Sequence, residues 1–171
     1  MGKKFLLALI LIGQFSFAHS FVLWNELEYG SSLKEIRERF PDVMRPAGRD
    51  YYVDELNPVS IAGLNFFPHF IFDGEIGLVK IELRTRSSKV TYGDYISISN
   101  LLETKYGSPS SERVDGRPSD PAAHSFVEKI WLKDSLEVRS TKAVILFLGT
   151  TIDDSISIQY GRSKISDASK L

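Results

Sequence analysis

The chain has no cysteine. It therefore forms no disulfide, offers no thiol nucleophile or thiolate metal site, and has no cysteine to carry a lipid behind an export signal. It has no surplus of positive charge either. With 21 Lys and Arg against 22 Asp and Glu, its formal net charge is -1, so it lacks the basic footprint of a nucleic-acid-binding protein. No G-x-S-x-G elbow, P-loop or G-x-G-x-x-G fingerprint occurs. Beyond the first twenty residues no apolar run is long enough to span a bilayer. These absences remove the readily recognised enzyme classes and leave a folded domain held by its core. At 171 residues, 43% hydrophobic and 25% charged, the chain suits one ordinary domain or two very small ones.

Residues 1–20 form a separate object. Lys3 and Lys4 precede an apolar stretch from Phe5 to Phe17, broken only by Gly13, Gln14 and Ser16. Ala18-His19-Ser20 then places small residues at the two positions a signal peptidase reads. The expectation is a secretory signal cleaved after Ser20 or after Ala18, and a periplasmic or secreted protein with no transmembrane segment once it is removed. Cleavage removes two lysines and no acidic residue, leaving 19 basic and 22 acidic residues and a net charge of -3.

The remainder is expected to be organised around Ala62 to Arg86. In this stretch Leu64, Phe66, Phe70 and Phe72 share one face before Asp73-Gly74. Val79, Ile81 and Leu83 share one face after it, with Lys80, Glu82 and Arg84 on the other. Asp-Gly between alternating runs predicts a tight hairpin turn between half-buried antiparallel strands. Pro68 inside the first run predicts a sheet edge or bulge, because proline donates nothing to the ladder.

Upstream, Phe21 to Trp24 is apolar and reads as a first strand or packing arm. Ser32 with Glu35 forms a capping-box signature, Leu33, Ile36 and Phe40 recur at helical spacing, and Pro41 ends the helix. Residues 42–50 read as loop and Tyr51 to Val53 as a short strand. Downstream, Tyr95, Ile98, Leu102 and Tyr106 form one stripe of a second helix, over 94–106, with Gly107 and Pro109 stopping it. Residues 107–125, rich in Ser, Pro, Gly and charge, read as a long loop. Strands are then expected at 126–132, 136–139, 143–148 and from Ile156 to Tyr160, with Asp153-Asp154 in a turn.

The resulting fold class is α+β, with two amphipathic helices packed on one face of a mostly antiparallel sheet. The expected division is a signal at 1–20, a single domain at 21–161 and a polar tail at 162–171. Each part of the domain, 21–90 and 91–161, has one helix followed by aromatic-rich hairpins, so two similar halves sharing a sheet is an open reading.

Tyr29-Gly30-Ser31-Ser32, Glu35-Ile36 and Phe40-Pro41 resemble the helix-opening motif of small exported envelope proteins with the β-lactamase-inhibitor-like fold. They also resemble that of the small lipoprotein of the outer-membrane assembly machine. Phe72-Asp73-Gly74 and Lys105-Tyr106-Gly107-Ser108-Pro109 echo the motif. The resemblance implies a helical element against an antiparallel sheet and a role in binding other proteins. The chain departs from the lipoprotein in having no cysteine to acylate, and from the inhibitor fold in having one helix per half where that fold has a pair.

Few residues suggest chemistry. His69 with Asp73 and Glu75 can be drawn as a metal site, but alternation points His69 away from Phe70 and Phe72, and Asp73 belongs to a turn. No cofactor is expected and no metal. The aromatic surplus is more suggestive, with 11 Phe, 7 Tyr and 2 Trp. Trp24, Tyr51, Tyr52 and Trp131 lie in or near polar contexts and are the candidates for a protein-binding patch. Core packing or cross-strand pairing is the competing account of the same residues. The leading expectation is a non-catalytic exported module that binds another protein of the cell envelope. The alternatives are a small secreted hydrolase using His69 or His124, and a carrier of an apolar small molecule between helices and sheet. Neither the partner nor the oligomeric state is legible.

Overall fold

A computed structural model describes residues 21–41, 51–54, 57–86, 90–120, 124–147 and 150–163, the side chains of 51–54, 147 and 152 excepted. The expected signal, the loop at 42–50 and most of the expected tail lie outside these residues. The elements in order are β1 (Val22–Trp24), β2 (Leu27–Glu28), α1 (Leu33–Arg39), β3 (Tyr51–Asp54), β4 (Val59–Ile61), β5 (Leu64–Asp73), β6 (Gly77–Thr85), α2 (Tyr92–Tyr106), β7 (Ser111–Gly116), β8 (Ser125–Lys133), β9 (Leu136–Phe147) and β10 (Thr150–Arg162). The fold is α+β: two helices with an eight-stranded antiparallel sheet, plus the small β1–β2 hairpin.

The sheet order is β3-β5-β6-β10-β9-β8-β7, with β4 also paired to β5. Within the sheet, each set of strands runs in chain order from an outer edge, β3 or β7, to the seam, β6 or β10. The seam is a regular antiparallel ladder from Ser157 opposite Arg84 to Gly161 opposite Lys80.

Strand alternation sorts the sheet into two unlike faces. On one, the cross-strand row Phe70, Ile81, Tyr160, Val138 and Trp131 is buried from end to end. Both helices pack there. Ile36 of α1 and Tyr95, Ile98 and Leu102 of α2 join that row in one core cluster. The Phe40 ring, at the end of α1, lies 5.0 Å from that of Phe70.

The helices form where their caps place them. Ser32 accepts from Glu35 N, and Glu35 returns the bond to Ser32 N at 2.6 Å, completing the expected capping box. The Glu35 carboxylate accepts from both the backbone N–H and the hydroxyl of Ser32, and these two bonds lower its pKa. In α2 the cap is Thr91, paired reciprocally with Asp94, so this helix starts two residues before the expected Asp94. Aspartate replaces the longer acid of the usual motif, which is why the box escaped the sequence reading. Gly107, at φ 85, closes α2 as expected.

Several sequence expectations are corrected. The tight two-residue turn lies at Ala62-Gly63, both with positive φ, between paired Ile61 and Leu64. At Asp73 the strands are joined by Gly74, Glu75 and Ile76. Here Asp73 Oδ1 accepts from the backbone N–H groups of Glu75 and Ile76, and positive φ falls at Gly77. A register shift follows, with Ile71 opposite Lys80 but Phe72 opposite Leu78. It sends Leu78 into the core and turns Val79, expected on the core face, outward.

Pro68 lies neither at an outer edge nor in that bulge. β5 pairs with β3 from His69 onward and with β4 up to Phe66, so the proline sits in the gap between two partners. The stretch 107–125, expected as loop, contains the edge strand β7. The expected strands at 136–139 and 143–148 are one strand, β9, because Ser140, Thr141 and Lys142 continue its ladder to β10. Asp153-Asp154 belongs to β10 rather than to a turn. Asp153 bonds Arg84 and Asp154 bonds the buried Lys142, so both carboxylates are anchored within the sheet. β10 runs one residue into the expected tail, to Arg162, with Ser163 buried behind it.

Candidate functional site

Both helices cover the same face, and among the described residues no helix packs on the second face of the sheet. Its central row is His69, Glu82, Gln159, Arg139, Ile130 and Ser111. Charged and polar side chains occupy the middle of a large sheet here, as on a face over which no layer of the described residues packs.

Arg139 is the hub of this face. It donates to Glu128 Oε2 at 2.8 Å, on the neighbouring strand β8, and to Glu137 Oε1 at 2.9 Å, two residues back on β9. Partial burial works against the guanidinium charge, but the bonds to Glu137 and the field of Glu128 more than offset it, so the pKa of Arg139 is raised. Two flanking carboxylates hold the planar guanidinium in one orientation. Arg84 is tied similarly across the seam to Asp153.

Beside Arg139 the face sinks into an open cleft of about 470 Å³, lined by Tyr29, Val79, Lys80, Glu137, Arg139, Gln159, Gly161 and Arg162. Its floor is explained by one residue. Gly161 stands in register between Lys80 and Glu137, on a row to which Ile71, Lys80, Glu137 and Leu132 contribute side chains. A Cβ built there meets only Lys80 Cγ at 3.8 Å and the Val79 carbonyl at 3.9 Å. The backbone therefore tolerates a side chain at this position, and the cleft exists because the sequence supplies none. The β6 bulge contributes as well, since it turns both Val79 and Lys80 to this side. At one wall the Arg162 guanidinium lies 5.7 Å from the centre of the Tyr29 ring, which is itself stacked on Phe21. Lys80 is exposed and makes no ion pair with another described residue. Cations outnumber the single carboxylate of the lining.

A second cleft, of about 350 Å³, lies between the β1–β2 hairpin and α1, and its lining includes Glu26, Glu28, Glu35, Glu38 and Arg39. Arg39 binds Glu26 at 3.2 Å and the Asn25 carbonyl at 3.0 Å, while Glu35 is occupied by the capping box. Neither cleft has a phenylalanine in its lining. Among the described residues no group of three or more His, Asp and Glu is arranged to hold a metal ion.

The sequence-derived candidates do not converge on one patch. Trp24 is half buried, its ring stacked on Phe40 at 6.2 Å, and belongs to the wall of the core. Trp131 is 1% exposed and donates its indole N–H to the Gly107 carbonyl at 2.9 Å. Strand alternation does place it opposite Ile130 and Leu132, as expected, but the side it faces is the one covered by α2. Tyr51 and Tyr52 lie on β3 opposite Phe72 and Ile71, with side chains outside the described residues. His69 lies on the open face opposite Glu82, and His124 is exposed just before β8.

Residues that sequence reading passed over, Arg139, Lys80 and Gly161, are what shape the open face. Their only sequence signal was position on alternating strands, which many other residues share. Comparison of the chain with protein families, with curated proteins and with solved structures finds no match.

Proposed function

We propose that this chain is a non-catalytic exported module that binds another protein of the cell envelope, and that it does so through the open face of its sheet at the Gly161 cleft. The observation that carries the reading is the asymmetry of the sheet. Both helices lie on one side, and the other carries an oriented arginine, a lysine that makes no ion pair with another described residue, and a tyrosine around a concavity. Tyrosine and arginine are enriched at protein interfaces, and a guanidinium already held by two carboxylates loses little freedom when a partner docks. The lining favours a partner that presents an acidic side chain to Lys80.

Export is part of the same proposal and rests on the Lys3-Lys4 and Phe5 to Phe17 pattern followed by Ala18-His19-Ser20. The resemblance of Tyr29 to Pro41 to the helix opening of envelope binding modules agrees with it.

The test is capture from envelope extract with the full chain, as the cell processes it, beside Gly161→Leu and Lys80→Glu variants. Mass spectrometry of the purified chain fixes its N-terminus. The expected result is loss of residues 1–18 or 1–20, together with a protein retained by the unaltered chain and lost by both variants. A protein retained equally by all three removes the cleft from the proposal. Capture of an apolar small molecule in place of a protein replaces the binding-module reading with a carrier.

A further inference from the structure

The edge strand β7 carries an inference that goes beyond the open face. It pairs on one side with β8, from Ser111 opposite Ile130 to Gly116 opposite Ser125. It is the last strand of the sheet order, so its outer backbone edge meets no strand among the described residues. α2 packs over β8 and β9, and all six residues of β7 are exposed, Val114 to 53%. An uncovered edge offers a row of N–H and C=O groups to another strand.

We propose that β7 pairs with β7 of a second copy of this chain, antiparallel, about a twofold axis at Val114, joining two sheets into one. Among axes that keep three or more residues of β7 paired, the strand's own sequence selects this register. A twofold axis perpendicular to the sheet keeps each face on its own side, so directly opposed residues must come from the same face. Glu112, Val114 and Gly116 lie on the helix side, and Ser111, Arg113 and Asp115 on the open side, since they oppose Lys129, Val127 and Ser125, and Ile130, Glu128 and Phe126 respectively.

Centring the axis on Glu112, Arg113 or Asp115 sets a charge directly against its own copy. Centring it on Val114 sets valine against valine, Arg113 against Asp115 twice, and Glu112 against Gly116. That register has an apolar centre, two opposite-charge pairs and no like-charge pair. Cross-strand pairs of this kind stabilise, and directly opposed like charges destabilise. The charges on this edge thus disfavour the other overlapping self-pairings and permit this one.

The test is the solution mass of the full chain, as processed, over a range of concentrations, by sedimentation equilibrium. The unaltered chain is expected to move from monomer to dimer. Arg113→Asp and Asp115→Arg each set two like-charge pairs into the dimer and are expected to weaken association by about tenfold or more. The combined Arg113→Asp/Asp115→Arg chain restores opposite charges in the reverse sense and is expected to regain it. Val114→Lys, at an exposed position, is expected to abolish it, with thermal unfolding confirming that each variant folds. A chain that stays monomeric up to roughly 1 mM overturns the proposal. So does a dimer that ignores both single inversions, since it must use another surface. Neither result bears on the Gly161 cleft, which lies on β6, β9 and β10.

Discussion

Lys142 and Asp154 form an ion pair within the β9–β10 hairpin, with the lysine side chain 3% exposed and the aspartate 13%. The same ammonium donates to the Val90 carbonyl at 3.0 Å, just ahead of the Thr91 cap of α2. One buried cation therefore ties the start of the helix to the sheet beneath it. The sequence around Lys142, Arg139-Ser140-Thr141 ahead of the apolar run from Ala143, gives no warning of a buried charge.

Removing one member of such a pair leaves the other uncompensated in a poorly solvated place. Lys142→Met is expected to cost about 3–5 kcal/mol in urea unfolding. The Lys142→Met/Asp154→Leu double substitution is expected to recover most of that loss, because two apolar groups of similar size need no partner. A single-variant loss below about 1 kcal/mol would mean that water reaches the carboxylate.

Stability is expected to fall steeply on the alkaline side. Burial pushes up the phenol pKa of both Tyr95 and Tyr160. In the unfolded chain a tyrosine releases its proton near pH ~10, while the folded chain retains it. Above that pH the unfolded state binds fewer protons than the folded state, so stability declines as pH rises. Tyr95→Phe removes one of these protons. Its unfolding free energy, measured between pH 8 and roughly 11.5, is expected to decline less steeply than that of the unaltered chain. Parallel slopes would show that the Tyr95 phenol ionises in place.

Two glycines, Gly77 at the start of β6 and Gly161 on β10, are expected to behave oppositely. At Gly77, φ is +97, and an added Cβ would stand 2.5 Å from the Gly30 carbonyl oxygen, a backbone atom with no room to move. Gly77→Ala is expected to destabilise by about 2 kcal/mol or more. At Gly161 the added Cβ meets ordinary contacts, so Gly161→Ala is expected to change stability by less than about 1 kcal/mol. Denaturant midpoints of the two variants make the comparison. Equal losses would remove Gly161 as a neutral site for filling the cleft.

Trp131 separates a core role from a surface role. Trp131→Phe keeps most of the apolar volume but leaves the Gly107 carbonyl without its indole donor, and is expected to cost about 1–2 kcal/mol. Trp131→Ala is expected to cost about 3–5 kcal/mol by opening a cavity between α2 and β8. A surface tryptophan truncated in this way would change stability by only about 0.5 kcal/mol. Unfolding curves are best followed by circular dichroism, since the substitution removes one of the two tryptophan fluorophores.

Local rules determined much of this protein. Ser32-x-x-Glu35 and Tyr106-Gly107 set helix ends because cap bonds form within a single turn of chain. Alternation from Phe66 to Phe72 determined a half-buried strand because the strand period is a property of the backbone itself. Such signals involve neighbours in sequence, and they sufficed for the α+β class and its antiparallel sheet.

Tertiary structure decided the rest. Pro68 sits within the sheet because two separate strands stop on either side of it, which is invisible from Pro68 alone. Ser111 to Gly116 became an edge strand because β8 offered it a ladder, despite a loop-like composition. Trp131 went inward because α2 chose that face, and either face satisfied its alternation equally. Gly161 became a cleft floor only once Lys80 and Glu137, distant in sequence, came to stand on either side of it. In each case the deciding partner was far along the chain, and distant pairing is set by how the whole core closes rather than by any one segment's preference.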